Sequence, residues 1–276
     1  MRKRFTVLAV GFLCVLAKVL PAQQPAEDEA TKLAKATQNP VADLVSLPFQ
    51  FNFNTGGGLD DQTLFILNFQ PVVPVKGLLR HANIIARTIV PYVSAPTGTA
   101  RAGGLGDIQA QFFFTPIKPG KLIWGVGPIF SLPTATADPV RTGSWAIGPV
   151  AVALANHGPW VFGGLINNLW TFADEGGSPK VNSLLLQPFV NYNFGKGWAL
   201  TTAPIIAANW DAPGGDEWTI PVGGGFSKTT VFNRRPITFA AQYYHNLEYP
   251  GGSAANQVRV QVSLLYPSAP KPPAKP

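Results

Sequence analysis

Cysteine and charge are what this sequence is short of. Its 276 residues hold one cysteine, and only 13% are Asp, Glu, Lys or Arg. The outside of a soluble domain calls for about 25–35% charged residues, so the chain lacks the side chains to wet a soluble surface. The single cysteine, Cys14, stands in an N-terminal stretch where Arg2, Lys3 and Arg4 precede apolar residues 5–17 and then Ala22. That order is the layout of a secretory signal, with cleavage expected after Ala22. About thirteen apolar residues fall short of the roughly twenty that a spanning helix needs. Phe12 and Leu13 do not supply the small residues of a lipoprotein signal. The chain beyond residue 22 then has no cysteine, which excludes a disulfide framework and a thiolate metal site.

Histidine is nearly as scarce. His81, His157 and His245 lie far apart in sequence, and none stands in a His-x-Ser segment. A histidine metal site needs clustered ligands, and a nucleophilic enzyme needs a base beside its nucleophile. No catalytic residue, metal or cofactor is therefore assigned, and an outer-membrane lipid-modifying enzyme is the remotest of three functional readings. The clusters Gly56-Gly57-Gly58, Gly103-Gly104-Leu105-Gly106 and Gly223-Gly224-Gly225 lack the Lys-Ser/Thr spacing of a phosphate loop. Removing residues 1–22 takes away Arg2, Lys3, Arg4 and Lys18 and no acid, so the formal charge of +7 drops by four. Little basic excess is left for nucleic acid.

Helix-forming sequence is scarce too. Residues 30–37, preceded by Glu27, Asp28 and Glu29, are helix-compatible, and Asn39-Pro40 is read as the cap and first residue of a further turn reaching Val45. Residues 23–46 form a separate segment, periplasmic or entering the barrel as a plug.

What is abundant is turn chemistry: 28 Gly and 27 Pro, set between short runs that alternate apolar with small or polar residues. The alternation predicts twelve strands, at 47–54, 62–74, 82–94, 105–115, 121–132, 144–155, 160–172, 182–193, 198–210, 217–231, 236–247 and 256–266. In the last, Val258, Val260, Val262, Leu264 and Tyr266 share one face, and Arg259, Gln261 and Ser263 the other. Ile108, Ala110, Phe112 and Phe114 likewise oppose Asp107, Gln109 and Gln111. In the eighth run Ser183, Gln187 and Asn191 form a polar face that Leu185 and Phe189 interrupt.

The eleven connections alternate between long and short, as in bacterial outer-membrane barrels with long extracellular loops and short periplasmic turns. Trp145, Trp170, Trp210 and Trp218 fall near the long connections and Trp124, Trp160 and Trp198 near the short ones, which predicts two interfacial girdles. The fold class is thus all-β, a transmembrane antiparallel barrel of about twelve strands over residues 47–267, with a short N-terminal helical segment and a Pro-rich tail, residues 268–276. Its location is the bacterial outer membrane, and its partners are lipid, lipopolysaccharide and a small-molecule solute. Acidic Asp60, Asp61, Asp138, Asp174, Glu175, Asp211, Asp216 and Glu248 in the long connections suit a rim beside lipopolysaccharide or simple loop solubility.

Several stretches carry a family resemblance: residues 38–44 (QNPVADL), 85–91 (IARTIVP), 104–114 (GLGDIQAQFFF), 122–133 (LIWGVGPIFSLP), 158–160 (GPW), 186–189 (LQPF) and 218–221 (WTIP). As a set they resemble the bacterial outer-membrane proteins labelled for a meta-pathway of phenol degradation and loosely called transporters. The resemblance implies an outer-membrane barrel with a transport role. The tail after Tyr266 departs from barrels that stop at a terminal aromatic. The lumen-facing candidates are Arg87, Asp107, Gln109, Gln111, Gln187, Asn191, Arg259 and Gln261, which line a passage or fill the barrel with a satisfied hydrogen-bond network. Twelve strands fall between filled and open barrels, so both arrangements stand. The leading function is a channel or transporter for small solutes, hydrophobic or aromatic ones included; the second is a structural or surface-interaction barrel without transport.

Overall fold

The computed structural model describes residues 28–267 except 58–61, 99, 138, 139, 175, 177–179 and 234. The signal, the Pro-rich tail, and Asp60, Asp61, Asp138 and Glu175 of the acidic rim lie outside the described residues. A helix α1 (Glu29–Thr37) precedes twelve strands: β1 Leu44–Thr55, β2 Leu64–Phe69 continued by Val72–Val75, β3 Ala82–Pro96, β4 Arg101–Leu105 continued by Ile108–Pro116, β5 Leu122–Leu132 and β6 Ser144–His157. Then come β7 Trp160–Asp174, β8 Asn182–Gly195, β9 Trp198–Thr202 continued by Ile206–Asn209, β10 Trp218–Phe232, β11 Arg235–Glu248 and β12 Asn256–Pro267.

Each strand pairs antiparallel with the next, and β12 returns to β1 in unbroken register from Leu44↔Pro267 to Thr55↔Asn256. The sheet therefore closes into a barrel with no free edge, the arrangement that satisfies strand N–H and C=O groups without water. The alternation sets the two faces as the sequence indicates: Val258, Val260 and Tyr266 are exposed on the outside, whereas Arg259, Ser263 and Leu265 are buried inside. Six tryptophans, Trp145, Trp170 and Trp210 at the long-connection end and Trp124, Trp160 and Trp198 at the short-turn end, are exposed on the outer wall. Trp218 packs edge-on against Trp210 at 5.5 Å. Between the girdles the outer wall is apolar, with Ile147, Phe162, Ile166, Leu200, Phe226 and Phe239 exposed. Among the described residues no helix is long and apolar enough to cross a membrane, and strands take that part.

Glycine is required where β6 runs against β7. A Cβ at Gly148 would stand 1.6 Å from the carbonyl oxygen of Asn168, so β6 and β7 approach there more closely than any side chain allows.

The N-terminal segment differs from expectation in one respect. α1 ends at Thr37, and residues 40–45 do not continue as helix. Asn39 Oδ1 instead accepts from the Val41 N–H at 3.0 Å, and Asn39 O from the Ala42 N–H, forming a single tight turn. Leu44 then pairs with Pro267, so closure of the barrel claims for a strand the residues that local propensity gave to a helix.

Candidate functional site

The interior of the barrel is divided between two materials. From β3 through β8 apolar side chains make up most of the inner wall: Ile85, Phe113, Ile129, Val150, Val152, Leu154, Val161, Leu165, Leu169 and Phe189 form one buried cluster, with Gln111, Asn167, Asn191 and Asn193 buried among them. Leu185 packs against it. The two residues that interrupt the polar face of the eighth run, Leu185 and Phe189, are thus inner-wall residues that fill part of the barrel. Around β1, β2 and β9 to β12 amides and hydroxyls are far more frequent on the inner wall, with Gln50, Asn52, Gln70, Thr201, Ser227, Thr229 and Thr238 buried.

Between the two materials lies a cavity of about 200 Å³. Its short-turn side is bounded by residues 36–40 and Ala42, and Arg259 stands at its margin toward the long connections. Five of the eight lumen candidates line it: Arg87, Gln187, Asn191, Arg259 and Gln261. Gln111 is buried beside it and accepts from Arg87 Nη1 at 3.4 Å. Gln109 stands further toward the long connections, opposite Ser131 of β5. Asp107 has a different task. It interrupts β4, and its carboxylate accepts from the backbone N–H groups of Ala135 (3.0 Å) and Thr142 (3.1 Å) and from the Thr142 hydroxyl. It folds the long connection between β5 and β6 over the rim and does not line the cavity.

Arg259 is only 3% exposed. Its Nη1 donates to Ala203 O at 2.9 Å, its Nη2 to Gln257 Oε1 at 2.8 Å and its Nε to Asn52 Oδ1 at 3.3 Å, while the guanidinium lies 4.7 Å from the Tyr244 ring. Tyr244, fully buried, donates no bond to Arg259; its hydroxyl accepts from the Ala203 N–H at 2.9 Å. β9 breaks at Ala203-Pro204-Ile205, and the backbone groups freed by the break are taken up by Tyr244 and Arg259 from β11 and β12. The aromatic–guanidinium pair thereby holds an inward-set stretch of strand across part of the lumen. Sequence reasoning passed over Tyr244 because tyrosine reads as an ordinary strand residue.

The N-terminal segment closes the short-turn end. Asp28, the N-cap of α1, accepts from the Thr31 N–H at 2.8 Å and from the Lys196 N–H at 2.7 Å. Gly197 N–H donates to Thr31 Oγ1 at 3.2 Å and Lys35 Nζ to Gly158 O at 2.7 Å, and Gln38 and Asn193 exchange two amide bonds. The backbone N–H of Lys196, with that of Thr31, holds the Asp28 carboxyl below its ordinary value of 3.8. Beyond the turn, Val41 enters the apolar cluster and Asp43 pairs with Lys76. A second cavity of about 160 Å³ lies on the other side of Asn39 and Val41, against β2 to β5. Residues 28–43 are thus fastened to the short-turn end of the barrel at several points.

On the outer wall His245 Nδ1 lies 2.9 Å from Asn256 Oδ1, which also accepts from the Tyr243 hydroxyl at 2.7 Å. Among the described residues no serine or threonine hydroxyl forms a hydrogen bond with His245, and no group of His, Cys, Asp and Glu could hold a metal ion.

No family model and no curated protein matches the chain. Among solved structures it is similar to outer membrane phospholipase A from Escherichia coli, at 12% identity over 79% of this chain and 95% of that one, with a TM-score of 0.45. It is likewise similar to the Salmonella typhi outer membrane phospholipase dimer with bound calcium, at 12% identity, 86% and 96% coverage and a TM-score of 0.45. Pseudomonas putida OprB is similar at 11% identity, 82% and 92% coverage and a TM-score of 0.24.

Proposed function

We propose that the protein is an outer-membrane barrel that binds small solutes in its lumen and passes them when residues 28–43 give way. The observation that carries this reading is the contrast between the two faces of one wall. The outside is apolar between two tryptophan girdles, as a lipid-facing surface should be. The inside holds a cavity of mixed lining, with amides, hydroxyls and two guanidiniums beside apolar side chains, whose floor is fastened largely by hydrogen bonds rather than by strand pairing. The resemblance of several sequence stretches to the phenol meta-pathway type of outer-membrane protein supports transport as the task. The secretory N-terminus and the even strand count support an outer-membrane address, with both strand ends on the periplasmic side.

Reconstitution in planar bilayers tests this reading. Folded protein should give ion conductance, larger after Asp28→Ala. A sealed bilayer for both would favour the second reading, a structural barrel, which the fully buried Phe113, Ile129 and Leu165 of the filled half support.

A further inference from the structure

Resting on the solute-binding reading, we propose that the lumen cavity takes a small organic anion, a carboxylate carried on an apolar body. The cavity holds two guanidiniums, Arg87 and Arg259, and no acidic side chain lines it. Nor does either arginine meet a carboxylate among the described residues: every bond each makes goes to an amide or backbone carbonyl oxygen. Cationic charge withdrawn from bulk water without a counter-charge is costly, and an anion is what relieves it.

The wall between the two arginines is polarised by them. Arg87 on β3 and Arg259 on β12 stand three strand spacings apart, and the register that aligns Arg87 with Val72, Ser46 and Leu265 sets them six residues apart along the strands. Arg87 Nη2 donates to Gln70 Oε1 at 2.6 Å, Gln70 Nε2 to Gln50 Oε1 at 3.5 Å, and Gln50 Nε2 to Asn52 Oδ1 at 3.0 Å. Arg259 Nε reaches the same Asn52 oxygen at 3.3 Å. A guanidinium only donates, so the two ends of this chain fix which way every amide between them faces. The amide oxygens of Gln70, Gln50 and Asn52 are each turned toward a donor, and the amide nitrogens of Gln50 and Gln70 each keep one further N–H to give. A carboxylate, which only accepts when ionised, complements such a wall, and charge-assisted bonds to it are the strong kind. The same cavity also carries Phe189, Val72 and Leu44, which suits an apolar body and disfavours a bare inorganic anion. A volume of about 200 Å³ accommodates a small ligand such as a single substituted ring.

The test titrates the folded full-length barrel in detergent with sodium benzoate, benzyl alcohol and inorganic phosphate at constant ionic strength. Benzoate should bind saturably and at least about tenfold tighter than the uncharged alcohol and than phosphate. Arg87→Gln combined with Arg259→Gln should erase that preference, while Arg87→Lys should keep most of it. Equal binding of benzoate and the alcohol overturns the anion site, and phosphate binding as tight as benzoate overturns the organic body. If the double variant does not fold, the wild-type comparison of the three ligands still decides. Conductance is read separately: benzoate binding in a non-conducting barrel would sink transport and keep the site, whereas conductance without benzoate preference would do the reverse.

Discussion

Neighbouring residues of β12 stand in different solvents. Val260 is 37% exposed on the apolar outer wall, and Gln261, next in sequence, lines the cavity. An arginine at position 260 should therefore cost about 2–4 kcal/mol of folding stability in lipid vesicles. Gln261→Glu should cost much less, because a carboxylate there shares the cavity with two guanidiniums. Chemical denaturation of vesicle-folded protein measures both, and equal losses would contradict the facing of this strand. Phe113 on β4, fully buried inside, represents the filled half. Phe113→Ala should destabilise by about 3–5 kcal/mol, since the surrounding aliphatic side chains belong to closed strands and collapse only in part. A loss under about 1 kcal/mol in the same assay would mean that this half is not close-packed.

α1 is held by its cap more than by its length, which at nine residues is marginal for an isolated helix. The Asp28 carboxylate serves both as N-cap and as acceptor for the Lys196 N–H, so Asp28→Ala loosens the helix from itself and from the β8–β9 turn together. Trypsin should then cut after Lys32 or Lys35 several-fold faster in the detergent-folded variant, and unchanged cleavage would show that other contacts suffice. Because docking lowers the Asp28 pKa, its contribution is present above the ordinary 3.8 and is lost as pH falls through the lower docked value. Helix release followed by the same proteolytic sites, using an acid-active protease, should therefore increase below about pH 4 in wild type and not in Asp28→Ala. A release that rises instead toward alkaline pH would assign the latch to another group. The element-level error at residues 40–45 has the same origin as this latch: the segment's conformation is decided by partners more than a hundred residues away, such as Pro267 and Lys196, and no local pattern reports them.

For the whole molecule, the strand number was legible because period-two alternation and Gly/Pro punctuation are local signals, and all twelve runs became strands. The divided interior was not legible. On β6 the inner Val150, Val152 and Leu154 are as apolar as the outer Trp145 and Ile147, so alternation cannot name the inside there. Arg87 and Arg259 stood out as charges in apolar runs, whereas the loop-folding task of Asp107 depends on residues 28 and 35 positions away. Topology is open to labelling: single cysteines at Ala100 and Gly214, in long connections, should react with an impermeant thiol reagent on intact cells. Ones at Lys118, Gly120 and His157 should react only after the outer membrane is broken. Reaction of both groups on sealed cells would contradict the sidedness assigned to the connections. The fastening points of residues 28–43 also impose an order of events. Asp28 and Thr31 bond to Lys196 and Gly197, 168 and 166 residues later, and β1 closes on β12 across almost the entire barrel. Contacts so distant in sequence form late. The earliest part of the barrel domain to be synthesised is therefore among the last to be seated, and a half-assembled barrel passes through a stage in which its sheet is largely paired while its floor still hangs free.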